Sequence, residues 1–93
     1  MLTVNEYFNG TVKSISFQGE NLPASVGVMV PGEYEFDTSK DETMTVISGE
    51  LVVKLPDSEE WQSFKSGTYF KVAANKIFHL KVKQDTAYLC TYA

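Results

Sequence analysis

The chain predicts an all-β fold, a sandwich or barrel, on three observations. Apolar and polar residues alternate with a period of two through most of its length, which is the pattern of half-buried strands. Turn signals ("NG", "PG", "SG", "PDSE" and "SG" again) punctuate these runs at intervals of roughly 8 to 15 residues. No stretch carries a sustained helical period.

Taken in order, "TVKSISF" places Lys13, Ile15 and Phe17 on one face, and "ASVGVMV" follows as a β-branched run. "GEYEFDT" sets Tyr34, Phe36 and Thr38 against Glu33, Glu35 and Asp37, a half-buried strand. "TMTVIS", "ELVVKL", "YFKV", "FHLKV" and "AYLCTY" are further strands, poor in helix formers. Lys54 and Lys81 interrupt two of them and are read as outward residues. "PDSEEWQSF" has a capping Asp57 or Ser58 and acidic residues behind it, but Gly67 follows so soon that one helical turn is the most expected. "TSKDE" and "PDSEE" are short solvated loops, and there is no internal repeat.

At 93 residues one domain spanning 1–93 is expected. A domain this small buries only about 60 to 65 per cent of its unfolded surface and tends to lean on a second copy, so a homodimer is expected. No apolar run approaches the roughly 20 residues of a bilayer span, and "MLTVNEYFNG" lacks the pattern of a secretion leader, so no membrane is expected and the cytoplasm is the expected compartment. The lone Cys90 has no internal disulfide partner and reads as a buried structural thiol. Net charge is −4 and the basic residues are all lysines. Phosphate backbones are gripped by clustered Lys and Arg and base edges by Arg above all, so nucleic acid is not an expected partner. For a small anion the guanidinium fork is missing, leaving lysine, hydroxyls and backbone N–H groups.

Gly32 and the segment from Thr38 to Gly49, "TSKDETMTVISG", resemble the first motif of the cupin superfamily. That motif starts with glycine, places histidines six and eight residues later, then a glutamate, and closes with a glycine seven residues beyond it. Here the histidine positions hold Thr38 and Lys40, while Glu42 and Gly49 keep their spacing. The second motif is altered as well: Gly67 matches its first glycine, but "VAANKIFHL" lacks the proline and glycine and puts Phe78 at the histidine position, with His79 one residue on. A one-residue slip moves a side chain to the other face of its strand. The resemblance implies a cupin-like β-barrel (a double-stranded β-helix or jelly roll). With one histidine available, no bound transition metal and no cofactor is expected, because first-row ions in such sites rely on nitrogen donors.

"NEYFNGTVKSISF", "ASVGVMVPGEYEF", "ETMTVISGEL" and the pair "FHLKV" and "AYLCTY" resemble, over nearly the whole chain, a narrower group: the small bacterial pyrimidine/purine nucleoside phosphorylases. The resemblance implies a broad-specificity enzyme that uses inorganic phosphate to cleave purine and pyrimidine nucleosides to free base and pentose 1-phosphate. The alternatives are a non-catalytic cupin that binds a small metabolite and a metal-dependent cupin enzyme.

Such chemistry must hold phosphate in line, fix the sugar and quench charge on the departing base. Lys13 is the phosphate candidate, sharing strand parity with Ile15 and Phe17 and so expected to point inward; a strand-end lysine snorkelling to water is the competing reading. Glu42 is a catalytic candidate, able to accept from ribose hydroxyls or steady a cationic sugar, against a solvated role in a charged turn. Thr38, Thr43 and Thr45 offer hydroxyls to sugar or phosphate, although threonine is common in strands for its branching. His79, the only imidazole, is the candidate proton donor to the base, against a packed or surface role. Tyr34 and Phe36 could stack on any base, with core packing as the other explanation.

Overall fold

The structure is a computed structural model that describes residues 2–93. Strands dominate it: β1 (Thr3–Tyr7), β2 (Val12–Gln18), β3 (Pro23–Met29), β4 (Gly32–Asp37), β5 (Glu42–Ser48), β6 (Glu50–Lys54), β7 (Trp61–Lys65), β8 (Tyr69–Val72), β9 (Ile77–Val82) and β10 (Thr86–Tyr92). A 3₁₀ turn, Phe8–Gly10, joins β1 to β2, with Phe8 and Asn9 both at positive φ (51° and 59°).

The strands form a six-stranded sheet, in the order β1-β2-β3-β10-β5-β8, and a four-stranded sheet, β4-β9-β6-β7, with antiparallel pairing throughout. The expected barrel is therefore corrected to an open two-sheet arrangement. The ladders do not close, because β1 and β8 bound one sheet and β4 and β7 the other. Backbone bonds carry two ladders past their strand ends: Thr38 N–H to the Lys76 carbonyl (2.9 Å) extends β4–β9, and Gly67 N–H to the Val46 carbonyl (2.8 Å) extends β5–β8. Between them lies a core whose fully buried members include Phe78, Met29, Leu51, Leu80, Val12 and Val46. Burying such side chains contributes roughly 1.5–3 kcal/mol each before chain entropy is charged.

Two strands depart from the sequence reading. β1 carries Asn5 and Glu6 and has no clear alternation, yet pairs with β2 along its length, from Thr3 opposite Ser16 to Tyr7 opposite Val12. Its Asn5 amide donates to Ser16 (2.9 Å) and Ser14 (3.3 Å), so polar side chains bond across the inner side of this sheet margin. Residues Trp61–Lys65, where at most a helical turn is expected, are β7, paired with β6 from Glu50 opposite Lys65 to Lys54 opposite Trp61. Lys81 lies over the Trp61 ring at 4.2 Å and the Ser63 hydroxyl donates to Glu50, so cross-strand partners override a weak local helix signal.

The parity of β2 is the reverse of that expected. Val12 and Ser14 are buried, whereas Lys13, Ile15 and Phe17 face out. Alternation shows that two faces exist, but where both carry apolar residues it does not say which is inner. On β10 the inner positions are Thr86, Tyr88, Cys90 and Tyr92. The register between β5 and β10 shifts at Ala87/Tyr88, and beyond that shift Val46 faces Tyr88, Met44 faces Cys90 and Glu42 faces Tyr92.

Candidate functional site

Where β10 and β5 run together, their inward residues open a cavity of about 180 Å³ between the sheets. Glu42, Tyr88, Cys90 and Tyr92 form one wall, with Ser14 from β2 and Asp37 at the end of β4 adding polar groups. The apolar part is Phe36, Phe78 and Met44, with Tyr7 beside Phe36. Phe36 stacks on Phe78 (centroids 5.8 Å) and meets Tyr7 edge-on (6.2 Å), giving one side of the cavity an aromatic surface. Tyr88 needs its space from across the ladder: Gly27 lies directly opposite, and a Cβ there would come within 2.5 Å of the Tyr88 ring and hydroxyl.

The polar groups here are coupled. The Cys90 thiol donates to Glu42 Oε1 at 3.5 Å, and the Tyr92 hydroxyl and Ser25 Oγ are 2.8 Å apart. Burial raises the Glu42 carboxyl above the ordinary carboxylate range, and the bond from Cys90 opposes this only in part. Burial, and then the Glu42 charge, pushes the Cys90 thiol up to about 12. Burial likewise raises both Tyr88 and Tyr92 well above ordinary phenols, with the Ser25 contact holding Tyr92 back. Among the described residues, no lysine or histidine lines this cavity.

Glu42 also borders a shallow depression of about 370 Å³ at the end of β5 and β8, together with Asp41, Thr43, Lys71 and Thr91. Thr43 pairs with Thr91 on one side and Lys71 on the other, so the three stand in one row on the outer side of the sheet.

The other residues singled out from sequence are scattered. Lys13 does not point inward; its side chain is 60% exposed on the outer side and pairs with Glu6 at 3.4 Å. His79 alternates with buried Phe78 and Leu80 and so stands on the outer face of the four-stranded sheet, Nδ1 3.8 Å from a Glu35 carboxylate oxygen, away from the cavity. Tyr34 is in the core, its hydroxyl donating to the Val30 carbonyl at 2.6 Å and its ring beside Phe8 and Phe36. Thr38 is buried, donating to the Ala73 carbonyl (2.7 Å) and accepting from Lys76 N–H (2.9 Å). Thr45 lies on the outer face between Leu89 and Tyr69. Of the sequence candidates, the fold brings Glu42 and Phe36 to the cavity and Thr43 to the depression beside it. The residues that sequence reasoning passed over are Ser14, Asp37, Tyr88 and Tyr92. The signal for the last two was present in "TAYLCTY", where tyrosines and the thiol share one face.

A cupin-type metal centre does not fit these residues. Thr38 stands at one imidazole position with its hydroxyl already engaged by Ala73 and Lys76, Lys40 stands at the other, and His79 faces away. Among the described residues, no three His, Cys, Asp or Glu side chains converge.

Comparison with known proteins places this arrangement. A protein of Hahella chejuensis named pyrimidine/purine nucleoside phosphorylase is 66% identical over 92 residues, covering 99% of each chain. The crystal structure of a Vibrio parahaemolyticus protein of unknown function superposes with a TM-score of 0.95 at 47% identity, covering 100% of this chain and 99% of that one. An RmlC-like cupin from Shewanella frigidimarina shares the fold at a TM-score of 0.76 and 16% identity, covering 98% and 82%. The family described as pyrimidine/purine nucleoside phosphorylase matches residues 2–92, and the chain belongs to that family.

Proposed function

We propose that this protein is a broad-specificity nucleoside phosphorylase, a pentosyl transferase acting on purine and pyrimidine nucleosides and inorganic phosphate without a metal ion. The observation that carries the reading is the full-length identity of 66% to a relative bearing that name. The cavity suits it. Phosphorolysis passes through a state with oxocarbenium character, as glycoside hydrolysis does, and the protein's part is to position reactants and to stabilise charge. Carboxyl and hydroxyl groups at Glu42, Tyr88 and Ser14 match a pentose, and the half-buried Phe36 ring, backed by Phe78, accepts any base as a stacking partner. At about 180 Å³ the cavity holds part of a nucleoside, so the remainder extends past Tyr7 and Asp37 at its rim.

The test is base release from uridine and inosine with and without phosphate, scored for ribose 1-phosphate. Release that depends on phosphate, with one ribose 1-phosphate per base, is expected; equal release in phosphate-free buffer overturns the reading. A cupin that only binds its metabolite would saturate with nucleoside and form no sugar phosphate.

The same proposal includes a homodimer in the cytoplasm, formed from one domain spanning residues 1–93 and joined through the outer face of the six-stranded sheet. Val4, Ile15, Val26 and Val28 stand there 40–63% exposed around a shallow apolar depression, continued by Phe17 and Leu22. The nearby charges, Lys13 and Glu6, compensate one another. Strand spacings of about 4.8 Å and rises of about 3.3 Å give six strands a face of roughly 24 by 20 Å. Flat, that is about 480 Å², roughly three-fifths of the ~800 Å² per partner of a standard-size interface. A surface of this kind, apolar and self-neutralised, fits a second copy of itself.

A further inference from the structure

Nucleoside cleavage leaves electrons on the base, and a base departing as an anion is a poor leaving group, so a nearby acid is needed. We infer that Glu42 is that acid, giving its proton to the departing base from the wall of the inter-sheet cavity. The inference rests on the nucleoside phosphorylase reading and names the group that makes the reaction possible there.

The geometry selects Glu42 by comparison with its neighbours. His79, the obvious acid from sequence, is on the far side of the other sheet. The titratable groups around Glu42 are Tyr88, Cys90 and Tyr92 from β10, Asp37 from β4 and Tyr7 from β1, with Asp41 and Lys71 on its other flank. Tyr92 is occupied with Ser25, and burial makes Tyr88, Cys90 and Tyr92 weaker acids than usual. Asp37 is exposed at the rim, open to water. Glu42 is partly buried on the inward face of β5, and Cys90 holds only its Oε1. Its Oε2 has no hydrogen-bond partner among the described residues and is free for a ligand. With no lysine or histidine lining the cavity among the described residues, the bond from the Cys90 thiol favours the ionised carboxyl, and burial, the larger effect, favours the protonated one.

The step balances. The bond from C1′ to the base nitrogen breaks with its electron pair passing to the base, while a phosphate oxygen forms the new bond to C1′. The Glu42 proton moves to the base, at purine N7 or pyrimidine O2, leaving a carboxylate beside the cationic sugar. Glu42 recovers the proton that the attacking hydrogen phosphate gives up on becoming a sugar phosphate.

The test compares wild type and Glu42→Gln on inosine and on 7-methylguanosine, whose cationic purine departs neutral without a proton. Glutamine keeps the shape of the side chain. The expected result is a fall of roughly 10²–10³-fold in kcat on inosine. On 7-methylguanosine the change should stay within about threefold, and the alkaline fall of the wild-type kcat profile on inosine should disappear. Equal losses on both substrates would show that Glu42 holds the sugar and would overturn the inference alone. A wild type with no phosphate-dependent cleavage of inosine would overturn the phosphorylase reading, and this inference with it. As a check independent of turnover, the Glu42 Cδ resonance is followed against pH. A midpoint above that of an ordinary glutamate is expected, and one at or below it contradicts the assignment.

Discussion

Thr38→Val removes a hydroxyl while keeping its volume, and the structure makes its cost calculable. The Thr38 hydroxyl donates to the Ala73 carbonyl at 2.7 Å and accepts from Lys76 N–H at 2.9 Å, pinning the Ala73–Lys76 turn to the end of β4. Each bond contributes about 1 kcal/mol net. Ala73 and Lys76 are exposed, so water can reach the groups left behind and the full penalty of a buried unsatisfied pair does not apply. The expected loss is therefore about 2 kcal/mol, a large part of the roughly 5–15 kcal/mol that holds a domain folded. At about 4–8 °C per kcal/mol for a domain of this size, Tm should fall by roughly 10 °C. Urea melts followed by far-ultraviolet circular dichroism measure it, with the midpoint moving and the slope constant. Thr38→Ser keeps both bonds and should cost about half as much or less. Since Thr38 lies outside the cavity, the folded fraction of Thr38→Val should keep its kcat. A loss below about 0.5 kcal/mol would refute the clamp, because the two bonds would then contribute almost nothing. A normal Tm with lost activity would make Thr38 a site residue after all.

Two further outcomes follow from burial and exposure. The Cys90 thiol, pushed up to about 12 from an ordinary value near 9, should resist thiol reagents at pH 8 and react at least about 100-fold faster in denaturing urea. Its raised value in the folded state means that its share of stability is complete below pH 9 and is lost as pH rises through 12. Cys90→Ala should therefore flatten that part of the stability profile, and an unchanged slope would contradict the shift. Val28→Asp places a charge on a side chain already 47% exposed at the outer sheet face, so the monomer fold should survive. Sedimentation velocity should then show the mass fall from dimer to monomer, and an unaltered dimer would remove this face from the interface.

The sequence alone determined the class and most of the strands, because a period of two and its turn residues are local properties written into neighbouring side chains. It also determined the family, through motifs running nearly the whole chain. It did not determine faces. In β2, Val12 and Ile15 lie on opposite sides and both are apolar, so only the packing of the second sheet decides that Val12 is inner and Lys13 outer. In β9, a one-residue choice sends Phe78 inward and His79 out, removing the most conspicuous acid from the cavity. Tyr88, Cys90, Tyr92 and Glu42 come from segments more than forty residues apart, and their meeting depends on the register of β5 against β10, which no local pattern encodes. A side chain's chemistry is local, but its surroundings are set by whatever the rest of the chain brings to it. That is why sequence left Glu42 equally open to a solvated and a catalytic reading, while the fold sets it partly buried beside the Cys90 thiol.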